Sequence, residues 1–119
     1  MLSEEFAHQF AQEWIEAWNK KNLASVLSHY SDDFEMSSPI ITRMNINSLG
    51  TLKGKQAVAQ YWQTALNQLP DLHFELLHIL LGADSLILHY RGHRGLAAEI
   101  FYFDSAGKVY KAAAHYILP

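Results

Sequence analysis

Between residues 3 and 20 apolar side chains return every three or four positions. Phe6, Phe10, Trp14, Ala17 and Trp18 fall on one face of a helix, with polar residues between them. Ser3 is placed to cap its start, Glu4 and Glu5 suit the positive end of its dipole, and Lys20 and Lys21 suit the negative end. A shorter helix follows, with Asn22 as its cap and Leu23, Val26, Leu27 and Tyr30 as its buried face. Phe34–Ser38 then reads as a short strand running into Pro39, and residues 40–53 as a polar loop with room for a small turn of helix. After Gly54 the helical period resumes through Val58, Tyr61, Trp62, Ala65, Leu66 and Leu69, and Pro70 ends it.

Beyond Pro70 the period changes. Leu72–Leu81, Ser85–Arg91, Leu96–Phe103 and Lys108–Leu118 are rich in strand formers and are separated by the turn clusters GADS, GHRG and DSAG. Loops this short force antiparallel neighbours, so helices followed by a four-stranded meander predict an α+β domain. The last two strands carry apolar groups on both faces. Ala97, Glu99, Phe101 and Phe103 alternate with Ala98, Ile100 and Tyr102, while Tyr110, Ala112, Ala114 and Tyr116 lie opposite Val109, Ala113 and Ile117. Helices can cover one face of the sheet. The other calls for a partner, and a homodimer through the sheet is the simplest expectation.

Composition narrows the function classes. At 119 residues the chain is one domain, able to bury roughly two-thirds of its unfolded surface without staples. It has no cysteine, which removes thiol nucleophiles, disulfides and zinc–thiolate sites. Net charge is −3 and the nine Lys and Arg are scattered, so no phosphate-binding stripe exists and nucleic acid is not expected as a partner. The longest apolar stretch, around Ile79–Leu81, is too short to span a bilayer, so no membrane partner is expected. The opening MLSEEFAHQF carries acids where a signal peptide would carry positive charge, which points to the cytoplasm. The seven histidines show no metal-ligand spacing: His89 and His93, four apart, straddle a strand end and a glycine turn. Neither a metal nor another cofactor is expected.

Three segments carry a family resemblance. EWIEAWNKKNLASVLSHYSDDFEMSSP, LKGKQAVAQYWQTAL and FYFDSAGKVYKAAAHY resemble, in that order, the opening helices, the third helix and the closing hairpin of the nuclear transport factor 2-like superfamily, in its SnoaL-like and ketosteroid-isomerase-like branch. The resemblance covers nearly the whole chain. It implies a cone-shaped, cystatin-like fold in which three N-terminal helices pack on a curved antiparallel sheet around a pocket. Fold alone does not assign function, because site residues carry the chemistry.

Placed on the ketosteroid-isomerase pattern, the resemblance puts Ser38 where that family keeps its carboxylate base. It puts Trp14 and Trp62 where the family keeps hydrogen-bonding tyrosines, and Glu99 where it keeps a protonated acid; Tyr30 matches the remaining aromatic. Without the base, steroid isomerisation by that mechanism is not expected. Strand parity independently turns Glu99 inward among apolar neighbours, where desolvation would favour its neutral, proton-donating form. Glu99 and Ser38 are therefore the catalytic candidates, Ser38 acting through a bound water. Trp14, Tyr30, Trp62, Phe101 and Tyr116 are candidates to line a site for a hydrophobic ligand, aromatic or polycyclic. Asp32 and Asp33 read as turn residues. Arg91, His93 and Arg94 make a small positive cluster that reads as a solvated turn, or as a rim that could meet an acidic ligand. The functional expectation is a small-molecule-binding protein, with cofactor-independent isomerase, cyclase or dehydratase chemistry if it is an enzyme. The alternative is a non-catalytic dimeric module whose aromatics fill its own pocket.

Overall fold

A computed structural model describes residues 1–118. Helix α1 spans Glu4–Asn19 and α2 spans Leu23–Leu27, each with its expected cap: Ser3 Oγ accepts from the Phe6 N–H at 3.0 Å, and Asn22 Oδ1 from the Ser25 N–H at 3.2 Å. Strand β1 (Tyr30–Ser37), helix α3 (Pro39–Arg43), strand β2 (Thr51–Lys53) and helix α4 (Lys55–Gln68) follow. The meander is β3 (Glu75–Leu81), β4 (Ser85–Gly92), β5 (Gly95–Phe103) and β6 (Val109–Tyr116). All six strands form one sheet in the order β2-β1-β6-β5-β4-β3; β1 runs parallel to β6 and every other pair is antiparallel. None of the described helices is long and apolar enough to cross a membrane.

Four local readings are corrected. Tyr30 opens β1 instead of closing α2, and Asp32 and Asp33 lie inside that strand, not in a turn. Both are exposed where the pairing is irregular: β1 advances from Tyr30 to Glu35 while β6 advances only from Val109 to Lys111. The slack lets the two acids face water within a strand, with Asp32 3.7 Å from Lys55 Nζ. The polar segment after Pro39 holds α3 and the edge strand β2, each too short to give a periodic signal. In β6, Tyr110 leaves the inner face. Tyr102 pairs with Lys111 but Phe103 with Val109, so Tyr110 is the extra residue of a β-bulge. The bulge turns Val109 inward to full burial and leaves Tyr110 43% exposed beside Tyr102.

The inner face of the meander carries Leu86, Leu88 and Tyr90 on β4, Ala97, Glu99, Phe101 and Phe103 on β5, and Val109, Ala112 and Ala114 on β6, all buried. Helix α1 lies across it. The Phe10 ring sits 5.0 Å from both Phe101 and Phe103, and Trp14 sits 5.3 Å from Phe101. Trp62 of α4 closes the other side, 5.1 Å from Trp18 and 5.3 Å from Tyr30. Phe101, with no exposed surface, is the hub of this packing. Phe101→Ala should cost about 3–5 kcal/mol by leaving a cavity, whereas Tyr110→Ala on the outer face should cost less than about 1 kcal/mol. Urea unfolding of the two variants checks both, and a large loss in Tyr110→Ala would contradict the bulge.

Candidate functional site

Between the inner face, α1 and α4 lies a cavity of about 170 Å³. Trp14 and Trp18 of α1, Tyr61 and Trp62 of α4, and Tyr90 of β4 form its walls. The exposed lining residues Met44, Gln68, His93 and Arg94 mark its mouth. One clamp holds much of this wall. The Asn19 side chain at the end of α1 donates to the Phe74 carbonyl at 2.9 Å and accepts from the Phe74 N–H at 2.6 Å. Phe74 is thereby fixed with its ring 5.7 Å from Trp14 and 4.7 Å from Tyr90. Gly92 keeps room for it, since a Cβ there would lie 3.2 Å from the Phe74 ring.

Glu99 is on the cavity wall and 3% exposed. Its Oε1 accepts from the Tyr90 hydroxyl at 3.2 Å, and no cation lies within ion-pairing distance among the described residues. Burial pushes its carboxyl from the ordinary 4.5 up to about 7, while the Tyr90 hydrogen bond pulls the other way. Near neutrality both protonation states are therefore populated. Four phenols respond to its charge, one each from β1, α4, β4 and β6: Tyr30, Tyr61, Tyr90 and Tyr116. Burial is the main cause of the upward shift in all four, and the Glu99 charge adds to it. At neutral pH they remain protonated and can donate. The Ser38 hydroxyl lies beside Tyr61 and Tyr116 and partly offsets the rise in both.

Of the candidates the sequence offered, the structure gathers Trp14, Trp62, Glu99 and Tyr116 around the cavity. Three other expected site residues stand behind its wall. Phe101 packs beneath Trp14 in the core. Tyr30 is buried and accepts from Trp14 Nε1 at 2.9 Å, so the Trp14 donor is engaged inside the protein and does not polarise a ligand. Ser38 is also buried, and its Oγ accepts from the Ile40 N–H at 3.1 Å, capping α3. Its first role is structural, and proton transfer through a water held by Ser38 is not needed to explain it. The phenol on α4 comes from Tyr61, one residue before the position the family pattern had indicated.

Tyr61, Tyr90 and Trp18 were missed as site residues. Tyr90 had a legible signal, because it shares parity with the inward Leu86 and Leu88 and pairs with the small Ala97, which leaves room for its ring. Tyr61 and Trp18 were visible only as members of helical stripes. Outside the cavity, His78 and His89 bring their Nδ1 atoms within 3.0 Å on neighbouring strands. No group of three or more potential metal ligands occurs among the described residues.

The SnoaL-like domain model matches residues 11–117. The chain belongs to the SnoaL-like family. A SnoaL-like protein of unknown function from Burkholderia thailandensis E264 is 50% identical, with a TM-score of 0.94 over 99% of this chain and 100% of that one. A protein of unknown function with a cystatin-like fold from Methylobium petroleophilum PM1 gives a TM-score of 0.77 at 16% identity, over 99% and 80% of the two chains. SalBIII, an epoxide hydrolase/cyclase-like enzyme of pyran-ring formation in the polyether salinomycin, gives 0.79 at 13% identity, over 99% and 95%. The last two likenesses are of fold alone. No curated protein matches the sequence. Structures similar to this SnoaL-like domain thus include a cyclase-like enzyme as well as proteins of unknown function.

The Glu99 carboxyl ties stability to pH. The folded state holds its proton up to about pH 7, whereas the unfolded chain releases it near 4.5. Between those values the folded state binds more protons, so stability falls as pH rises. The contribution is present in full below about 4.5 and is lost by about 7, a change on the order of 3 kcal/mol. Glu99→Gln should abolish this dependence, and urea midpoints for both proteins between pH 4.5 and 8 measure it. Parallel curves for the two proteins would count against the assignment.

Proposed function

We propose that this SnoaL-like protein binds a small, mainly apolar carbonyl compound and moves a proton on it without a cofactor, as an isomerase, cyclase or dehydratase. One observation carries the reading: a buried carboxyl group on the wall of an aromatic-lined cavity, ionisable near neutral pH and with no cation within ion-pairing distance among the described residues. Such a group can accept a proton and return it. In the step itself, ionised Glu99 takes a proton from the carbon next to the carbonyl. The C–H electron pair becomes the enolate double bond and the carbonyl π pair moves to oxygen, where the Tyr61 and Tyr116 hydroxyls donate to the oxyanion. Glu99 then delivers the proton to a carbon of the enolate. The volume favours one ring or a short branched chain over a polycyclic ligand, since a cavity of about 150 Å³ is filled by benzene.

Phenylacetone in deuterated water tests this, with loss of its methylene protons followed by NMR. The protein should accelerate exchange and Glu99→Gln should slow it by about 10²–10⁴-fold, while the probe still quenches tryptophan fluorescence. Full exchange in that variant would remove Glu99 from the mechanism. Binding without exchange in either protein would favour the non-catalytic module, whose support is the loss of a carboxylate at Ser38.

We also propose that the outer face pairs with a second copy of the chain. Leu80, Ile87, Ile100 and Ala113 form an apolar row in register across β3, β4, β5 and β6. Sedimentation should find a dimer at micromolar concentration, and Ile100→Asp should convert it to a folded monomer. A monomeric parent protein would overturn this proposal without touching the cavity.

A further inference from the structure

The cavity has a second pole, at its mouth. The β4–β5 connection is only two residues, His93 and Arg94, held between the paired Gly92 and Gly95. Gly95 takes a φ of +90°, which lets the chain reverse at once and keeps this loop tight. Arg94 is exposed, lines the mouth and makes no ion pair among the described residues. Its charge nevertheless reaches inward. It lowers the phenols of Tyr61 and Tyr116, opposing the burial that raises them.

Glu99 lies four residues along β5 from Gly95, roughly 13 Å of extended strand. Arg94 is not among the groups that set the Glu99 carboxyl, which answers to burial and to Tyr90. Between the two poles come Ala97 and, paired with it across the ladder, Tyr116. Tyr116 feels both charges. The result is a cation at the rim that no described residue pairs, an aromatic slot behind it, and a protonatable carboxyl at depth.

A neutral ligand would use only the slot and the carboxyl. An acid of matching length uses all three, and among the described residues its anion would meet a guanidinium with no competing carboxylate. A single arginine suits one carboxylate, which a guanidinium can hold through two parallel hydrogen bonds. We propose that the ligands of this cavity are small monocarboxylic acids with an aromatic or similarly apolar body. The carboxylate is held by Arg94 at the mouth, the body lies against Trp14 and Trp62, and the far end reaches Glu99. This rests on the cavity being the ligand site, and it holds whether or not that site is catalytic.

Phenylacetate, phenylacetamide and methyl phenylacetate share a ring and differ in charge. Their binding to the full chain can be read from quenching of tryptophan fluorescence at one pH. Phenylacetate should bind about tenfold more tightly than the amide or ester. Added salt should shrink that margin, Arg94→Gln should erase it, and Arg94→Lys should keep part of it. Equal binding of acid and amide, or a preference that survives Arg94→Gln, would overturn the inference and leave the cavity standing as a ligand site. Failure of all three probes to bind would overturn both. The proton-transfer reading stands or falls separately, on exchange in Glu99→Gln.

Discussion

Taking a carboxylate out of water costs several kcal/mol unless a cation or a set of donors compensates. Among the described residues Glu99 has no cation within ion-pairing distance, one hydroxyl at 3.2 Å, and a cavity lined largely by aromatic rings beside it. The cheapest response is to hold the proton, and the environment of Glu99 favours that response. Its charge is felt by four phenols from four different elements, while burial, opposed by the Tyr90 hydroxyl, sets its own proton affinity. A core packed for stability alone would put an apolar residue there.

The cavity survives because its walls are held from behind. Phe10 backs Phe101, Phe101 supports Trp14, Trp14 donates to Tyr30, and Asn19 clamps the backbone of Phe74. Each large ring is fixed by contacts outside the cavity, so the rings cannot collapse into it without breaking packing elsewhere. The same logic explains Ser38. At the position where a related fold keeps a base, this chain uses a hydroxyl to start α3, which leaves Glu99 as the carboxyl on the cavity wall.

Much of the architecture was legible because it is periodic. The stripes of α1 and α4, the turn clusters and the alternation in β5 led to the order of the longer elements, and parity alone turned Glu99 inward. Short or irregular pieces were not legible. Residues 40–53 hold a five-residue helix and a three-residue strand, each below the length at which a period can be seen. The bulge at Tyr110 and the slack in β1 depend on how two strands pair, and neither strand encodes that by itself. Trp14, Tyr30 and Phe101 were recognised as aromatics of one cluster, but their order from surface to core was not.

By itself the sequence determined the fold family, the inward acid and the absence of thiol chemistry, since these follow from local spacing and residue identity. Tertiary structure alone decided that Ser38 is a cap, that Tyr61 and not Trp62 supplies the phenol on α4, and that Arg94 overlooks the mouth. Those outcomes depend on distances between residues far apart in the chain. A carboxyl group's proton affinity likewise depends on everything that surrounds it in space, and burial brought that of Glu99 to about 7.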